Sequence, residues 1–287
     1  MAFVPKQITQ YQAEHLAELQ GDVSETAINY CLDLIPPFKT GDVVHDNACG
    51  SGAVTESIMA ANPPPGIHIH ATDVNPQFVQ GVESLAKSKD WPVTAAVMPA
   101  QALTFEDNKF TQSITSFAFH CLGDHDEAAR QIYRTLQPGG VAIATIWVFM
   151  PHVDALQHAH WQTRGRDGPM PTLLPLEDYQ ELNLRDALKA GGFTDEKISC
   201  TETTAHLKVP QGGLKRWAQL AWSYLGALPS GWSQDDEDHW DEAIGDIVKQ
   251  LQSGKGITAG PNGETNMEMR AVAPWRRSRG GARDRAK

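Results

Sequence analysis

At 287 residues, with 41% hydrophobic and 21% charged side chains, the chain can bury the core of one large α/β domain or of two small ones. Its formal net charge of −11, with six of the 24 basic residues confined to the C-terminal tail (Arg276, Arg277, Arg279, Arg283, Arg285 and Lys287), repels phosphate-rich partners and disfavours a nucleic-acid substrate. Four scattered cysteines without a CxxC pair argue against a disulfide framework or a zinc site. With no secretory leader at the start and no apolar run of the roughly 20 residues that span a bilayer, they indicate a cytoplasmic protein without a membrane anchor.

An amphipathic N-terminal stretch carrying Tyr11 precedes a region, residues 40 to 150, in which β-rich runs alternate with helical ones. Asp42 to Asn47 (DVVHDN) reads as a buried strand ended by the glycine turn at Cys49 to Gly52. A helix over Val54 to Ala61 stops at Pro63 to Pro65. Ile67 to Val74 is the second strand, and Asn75-Pro76 opens a helix to about Lys89. Val93 to Met98 and Phe110 to Phe119 are the third and fourth strands. Asp124 or Asp126 caps a helix to Leu136, and after Pro138-Gly139-Gly140 the fifth strand runs from Val141 to Val148. Strands separated by helical crossovers predict a mostly parallel sheet with helices on both faces.

The later chain changes character. Pro151 to Pro175 is proline-rich with several histidines and reads as a lid. An amphipathic helix follows over about Leu176 to Ala190, ended by Gly191-Gly192. Ile198 to Val209 is extended, helices are expected around Leu214 to Leu225 and Asp235 to Leu251, and Asn266 to Val272 forms a last strand. The tail beyond Pro274, rich in Arg and Gly, is expected to be disordered.

The strongest signal is Val43 to Glu56 (VVHDNACGSGAVTE): a buried strand ending in an acid, then Ala48-Cys49-Gly50-Ser51-Gly52, then a helix. Glycines at the carboxyl edge of a parallel sheet let the backbone approach a ligand where a Cβ would collide. The dinucleotide pattern GxGxxG would need a third glycine at Thr55, and it places a pyrophosphate where Asp46 would repel it. A ligand with an α-ammonium group and no phosphate suits Asp46 better, and S-adenosylmethionine is such a ligand. The second strand ends in Asp73, an acid able to accept both hydroxyls of a ribose.

These residues resemble class I S-adenosylmethionine-dependent methyltransferases, particularly the branch holding ubiquinone/menaquinone C-methyltransferases and fungal natural-product enzymes. Besides DNACGSG and TDVN, the resemblance is carried by Ala100 to Phe110, Ser116 to Leu122 and Arg134 to Thr145. It implies a Rossmann-like, seven-stranded sheet with an antiparallel last strand. It implies that Asp46, Ala48, Cys49, Gly50 and Gly52 line the methionine and ribose end of the cofactor, and that Asp73 holds the ribose while Val74 packs on adenine. Ala100 and Gln101 would border the adenine edge, Phe117 and Ala118 would floor the sulfonium, and Tyr11 would close over the cofactor. The sequence departs from the family at Pro99, where members often carry an acid for the adenine amino group; Gln101 or a backbone carbonyl then has to supply that contact.

For the chemistry, His120, just past the fourth strand, is the candidate general base, its imidazole titrating near neutral pH. His125 at a helix start reads as a capping or exposed residue. Trp147, Met150, His152 and Trp161 are candidates for lining the acceptor, and the i, i+4 pair Asp154 and His158 lacks the further spacing of a metal site. The expectation is one methyltransferase domain over residues 1–275 with a helical cap built from 1–35, 151–175 and 211–254, and a disordered basic tail at 276–287. It would methylate a small, fairly apolar metabolite, with oxygen as the favoured acceptor. Rival readings are a cyclase or isomerase using the same cofactor, a non-catalytic binding subunit and, more distantly, a nicotinamide dehydrogenase.

Overall fold

The computed structural model of the chain describes residues 3–10, 12–171 and 184–277. Contacts gather these residues into two compact units, 25–147 with 184–203 and 271–277, and 3–24 with 148–171 and 204–270.

The first is the sheet unit. Its elements begin with the end of α2 (Val23–Leu34), then β1 (Val43–Asn47), α3 (Ala53–Ala60), β2 (His68–Asp73), α4 (Pro76–Lys89), β3 (Val93–Val97), β4 (Phe110–Ser116), α5 (His125–Thr135) and β5 (Leu136–Phe149). Further on come α7 (Leu184–Ala190), β6 (Ser199–Val209) and β8 (Thr265–Arg277). The strand order is β3-β2-β1-β4-β5-β8-β6. Pairing from β3 to β5 is parallel throughout, with Val43 opposite His68, Ile69 opposite Val93 and Ser113 opposite Ala142. Ile69, Val44, Ile114 and Ile143 form a buried stripe that clusters with Ile28 and Cys31 of α2, Ile35 just after it, and Val54 and Ile58 of α3. Each such aliphatic side chain contributes roughly 1.5–3 kcal/mol by leaving water.

Helix boundaries follow local chemistry. Asn75 accepts from the Gln77 amide and Pro76 occupies the first helical position of α4, where a missing N–H costs nothing. Of the two acids expected to cap α5, Asp124 does so, accepting from the Glu127 amide at 2.9 Å. Pro138-Gly139-Gly140, expected as a turn, lies inside β5 as a bulge. The β4–β5 register jumps between Phe110 opposite Leu136 and Gln112 opposite Val141, and the extra residues loop out without ending the strand. β4 in turn stops at Ser116, three residues short of the expected end, because Phe117 turns to φ +53°.

One sheet face carries an imidazole cluster. His45 is fully buried, stacked on Phe110 at 4.6 Å and bonded through Nε2 to Thr72 Oγ1 at 2.9 Å. His70 lies opposite it in register and packs edge-on to Phe105. Burial first, then neighbouring positive charge including Lys109, depresses both imidazoles, to about 3 for His45 and about 4 for His70.

The helical unit holds α1 (Ala13–Gln20), α6 (Pro151–Arg164), α8 (Leu214–Leu225), α9 (Gln234–Asp238), α10 (Trp240–Ser253) and the short strand β7 (Ile257–Ala259). α6 packs on α10, and α8 packs on both α10 and α1. Its polar centre is Arg164, whose Nε donates to Asp236 at 2.6 Å and whose Nη1 donates to the Gly226 carbonyl at 2.8 Å. The guanidinium lies 4.8 Å from the Trp222 ring and 5.2 Å from Trp232. Asp236 also accepts from the amide and hydroxyl of Ser233, so the acidic run is a capped helical turn, as expected, with one buried member.

Residues 151–164 are helical, as expected of that segment, because Pro151 sits at the first helical position and Val153, Leu156 and Ala159 bury one face. Two expectations need correction. The sheet gains an eighth strand, β7, which pairs antiparallel with β8 across the turn of Gly260 to Glu264. β8 continues through Arg277, past Pro274, into what was read as tail. The helix expected over 176–190 is seen as α7 from Leu184, since 172–183 lie outside the described residues, as do 278–287 of the tail.

His45 sets a stability prediction. Its folded pKa lies below its unfolded value of about 6.5, so its contribution is complete above pH 6.5 and is lost as pH falls toward 3. Stability in urea should fall below pH 6.5 with a slope of up to about 1.4 kcal/mol per pH unit from this group, and His45→Gln should flatten that slope. An unchanged slope in the variant would show that His45 does not carry it.

Candidate active site

The carboxyl ends of β1, β2, β3 and β4 lie side by side in the sheet unit, and most of the site residues read from the sequence lie on the loops leaving them. After β1 the chain turns within five residues. The Cys49 amide donates to the Thr72 carbonyl at 2.9 Å, fastening the loop to β2, and the Gly52 amide donates to Cys49. Gly50 has φ +52°, and a Cβ there would meet no atom within 4 Å, so it lies open to a ligand. Gly52 has φ +96° and packs so close to Val82 that a Cβ would approach Cγ2 to 3.0 Å; its lack of a side chain seats α3. Ala48 takes φ +54° without being glycine, a local strain at the first residue of the loop.

Asp46 is 1% exposed. Its Oδ2 accepts from the Thr55 hydroxyl at 2.7 Å and the Thr55 amide at 3.1 Å. Gly52 precedes α3 and has no side chain to cap it, so this carboxylate supplies the capping bond from the preceding strand. Its Oδ1 has no partner. Burial pushes the carboxyl up to about 6 against the pull of the Thr55 bonds, and the charge of Asp73 adds to the rise. Asp73, also buried, accepts from the Gly50 amide at 2.9 Å on Oδ2 and from the Asn75 amide at 2.8 Å on Oδ1. Neither carboxylate forms an ion pair among the described residues.

Beside Asp73, Val74 is 69% exposed and Val97, the register partner of Asp73, is 55% exposed. Each leaves apolar surface open at the carboxyl end of its strand. Ala100 is buried and Gln101 half-buried in the turn that follows β3, where the Ala102 amide donates to the Pro99 carbonyl at 3.0 Å. Arg134 of α5 braces the descending loop, donating from Nη2 to the Leu103 carbonyl and from Nη1 to the Phe105 carbonyl, each at 2.7 Å, and pairing with Asp107.

At the end of β4 the Phe117 ring stacks flat on Trp147, centroids 4.2 Å apart and planes 2° from parallel. Its strained backbone is tied down by Thr145, whose hydroxyl and carbonyl both accept from the Phe117 amide. Ala118 leads into the one-turn helix of Phe119–Cys121, which includes the backbone of His120. The side chain of His120, and all of Tyr11, lie outside what is described.

Met150, His152 and Trp161 belong to the helical unit. Met150 precedes α6, His152 packs edge-on to Trp217 with an unpartnered Nδ1, and Trp161 lies under the Arg166 guanidinium. Burial lowers His152 to about 4, so it is neutral near pH 7. His158 pairs with Asp246 of α10 at 2.6 Å, not with the exposed Asp154, and the described residues contain no group of three or more potential metal ligands.

Three supporting residues were not singled out from the sequence as part of the site: Thr55, Arg134 and Thr145. Thr55 had a signal, a polar residue where the dinucleotide pattern needs glycine. Arg134 and Thr145 had none, because their partners are 27 to 31 residues away in the chain.

Residues 45–144 match the model of the methyltransferase domain family. The chain is 22% identical over 220 residues to the methyltransferase tpcH of Aspergillus fumigatus, covering 70% of this chain and 73% of that one. It is 31% identical over 109 residues to the ubiquinone/menaquinone biosynthesis C-methyltransferase UbiE of Hydrogenovibrio crunogenus, covering 36% and 41%. Its fold is similar to that of phosphoethanolamine N-methyltransferase 2 of Haemonchus contortus, solved in complex with S-adenosyl-L-methionine, with a TM-score of 0.53 at 19% identity over 93% of this chain and 56% of that one. Among the described residues no helix is long and apolar enough to cross a membrane.

Ala48 tests the strain directly. Ala48→Gly should raise stability in urea by roughly 0.5–1 kcal/mol, the relief of left-handed strain minus glycine's unfolded-state entropy. A loss of stability would show that the Ala48 methyl is needed for packing and outweighs the strain.

Proposed function

We propose that the chain, which carries an S-adenosylmethionine-dependent methyltransferase domain at residues 45–144, methylates a small, fairly apolar metabolite, with a hydroxyl oxygen as the favoured acceptor. One observation carries the cofactor side of this reading: two buried carboxylates, Asp46 and Asp73, share a sheet edge and have no ion-pair partner among the described residues. A dinucleotide pyrophosphate would add like charge there. An α-amino acid bearing a sulfonium adds opposite charge, so the residues fit S-adenosylmethionine.

Asp46, Ala48, Cys49, Gly50 and Gly52 would line the methionine and ribose end, Asp73 would hold the ribose hydroxyls, Val74 would pack on adenine with Ala100 and Gln101 at its edge, and Phe117 with Ala118 would floor the sulfonium, with Tyr11 closing the site. When bound, the cofactor supplies a methyl group activated by positive sulfur. The protein's share is orientation and exclusion of water, since charge is dispersed rather than built up as the methyl leaves. His120 would take the proton from the acceptor hydroxyl. The Phe117–Trp147 stack supports a flat apolar acceptor, which Met150, His152 and Trp161 would help to select. The four free cysteines agree with a cytoplasmic setting, and the likeness to a fungal methyltransferase supports a place in secondary metabolism.

Two sets of measurements test this, the first on site variants and on the product. Asp73→Ala should weaken S-adenosylhomocysteine binding roughly 30-fold or more in calorimetry. His120→Ala should leave that affinity within about twofold while lowering kcat roughly 100-fold or more, and an unchanged kcat would remove His120 from the reaction. Product mass spectrometry must show the gain of one methyl group, which a cyclase or isomerase would not give.

The second concerns pH. Asp46 in the ligand-free protein is half protonated at about pH 6, and a cationic ligand favours its ionised form. Affinity for S-adenosylmethionine should therefore decline as pH falls through 6, with proton release on binding greatest near that value. Titrations in buffers of different ionisation enthalpy read this directly, and Asp46→Asn should abolish the proton release. A variant that still released it would place the titrating group elsewhere.

A further inference from the structure

We propose that the ring of Phe117 is a place-holder for the acceptor. It covers the face of Trp147 in the free protein and yields that face to a flat aromatic ring of the acceptor, which stacks there in its place. The inference rests on the reading above, that this edge binds an apolar acceptor, and it names that acceptor's class as aromatic.

β4 and β5 run in parallel register as far as Ser116 opposite Thr145, where β4 stops while β5 continues to Phe149. Just past that point the Phe117 ring lies 4.2 Å from the ring of Trp147, with planes 2° apart. Trp147 is left 8% exposed, whereas Phe117 is half-buried, so the indole is the inner partner of the stack and the phenyl ring the outer one.

The backbone and the ring of Phe117 are held differently. Its amide donates to the Thr145 hydroxyl at 2.9 Å and to the Thr145 carbonyl at 3.0 Å, and that hydroxyl is tied in turn to Ser116 Oγ at 3.1 Å. The ring's aromatic partner among the described residues is Trp147. Rotation about the Cα–Cβ bond therefore frees the ring and leaves the backbone bonds intact. The φ of +53° adds a second observation. A residue with a Cβ is strained in that conformation and glycine is not. Glycine would supply no ring to lie on Trp147, so the strain is the cost of keeping that face covered.

Exchange of one ring for another is nearly balanced. An aromatic acceptor that displaces Phe117 gives Trp147 a new stack for the one lost and fills the slot that the phenyl ring leaves. A saturated ring of equal bulk fills the slot without the stack, so it displaces Phe117 less well. With no acceptor present, an open slot would expose the indole to water, and the phenyl ring returns. Flatness of the acceptor becomes a condition of entry.

The probes are 2-naphthol and its saturated counterpart, decahydro-2-naphthol, titrated by calorimetry into the full chain with S-adenosylhomocysteine present. The unaltered protein should bind the aromatic alcohol about three- to tenfold more tightly than the saturated one. Phe117→Ala should bind 2-naphthol about five- to tenfold more tightly than the unaltered protein, because no ring has to be displaced. Trp147→Leu should lose the preference for the aromatic probe. In the unaltered protein, whose folding no substitution disturbs, nuclear Overhauser contacts between the Phe117 and Trp147 rings should vanish on saturation with 2-naphthol. Contacts from 2-naphthol to Trp147 should replace them. Phe117–Trp147 contacts that persist at saturation, equal affinity for the two probes, a preference retained in Trp147→Leu, or unchanged affinity in Phe117→Ala would each overturn the inference. A chain that binds S-adenosylhomocysteine but neither probe would overturn it as well and leave the cofactor reading intact. A chain that does not bind S-adenosylhomocysteine would overturn the cofactor reading, and with it the assignment of this face to an acceptor.

Discussion

Asp46 and Asp73 end neighbouring parallel strands, each buried, each within the other's field, and each held by hydrogen-bond donors of the polypeptide and not by a cation. Like charges in a low dielectric repel strongly, so this arrangement survives only because amides and a hydroxyl are fixed around it. The Gly50 amide on Asp73 and the Thr55 amide and hydroxyl on Asp46 bind the β1 loop and the start of α3 to the two strands. The shape of the loop and its charge are therefore one feature. A cationic ligand completes what the backbone only partly neutralises.

Strain is placed at the same edge. Ala48 and Phe117 both adopt left-handed backbone conformations that ordinary side chains avoid, one after β1 and one after β4. Each is over-determined by neighbours: the loop around Ala48 by the Cys49–Thr72 bond, and Phe117 by two bonds from its amide to Thr145 and by its stack on Trp147. Residues outside the motif hold the motif in place. The same is true of the β3 loop, where Arg134 fixes the Leu103 and Phe105 carbonyls.

The matched methyltransferase-domain segment, 45–144, lies wholly within the sheet unit. This division has a chemical cause. Within one fold, a shared ligand favours similar residues at the strand ends that bind it, whereas segments that face differing ligands diverge. In the helical unit the ordering interactions are of another kind, a buried Arg164–Asp236 pair between two tryptophans that ties together α6, α9 and the end of α8. Such a pair adds less to stability than to a defined arrangement, because much of its Coulombic gain offsets desolvation.

From the sequence by itself came the parallel strand order's ingredients, the acids at the ends of β1 and β2, the turn between β1 and α3, and the helix bounds set by Asn75, Asp124 and Gly191-Gly192, because strand alternation, glycine and capping side chains act within a few residues. The same local reading ended the last strand at Val272 though β8 runs to Arg277, and it missed β7, too short to announce itself without β8 beside it. What only the tertiary structure decided is which side chains meet: that Asp46 is balanced by Thr55 and not by a base, that Trp147 lies flat on Phe117, that His158 faces Asp246 across 88 residues, and that Arg134 braces a loop about 30 residues earlier. Those pairings depend on register and crossover, which no local pattern encodes, and they set the charge and rigidity of the site.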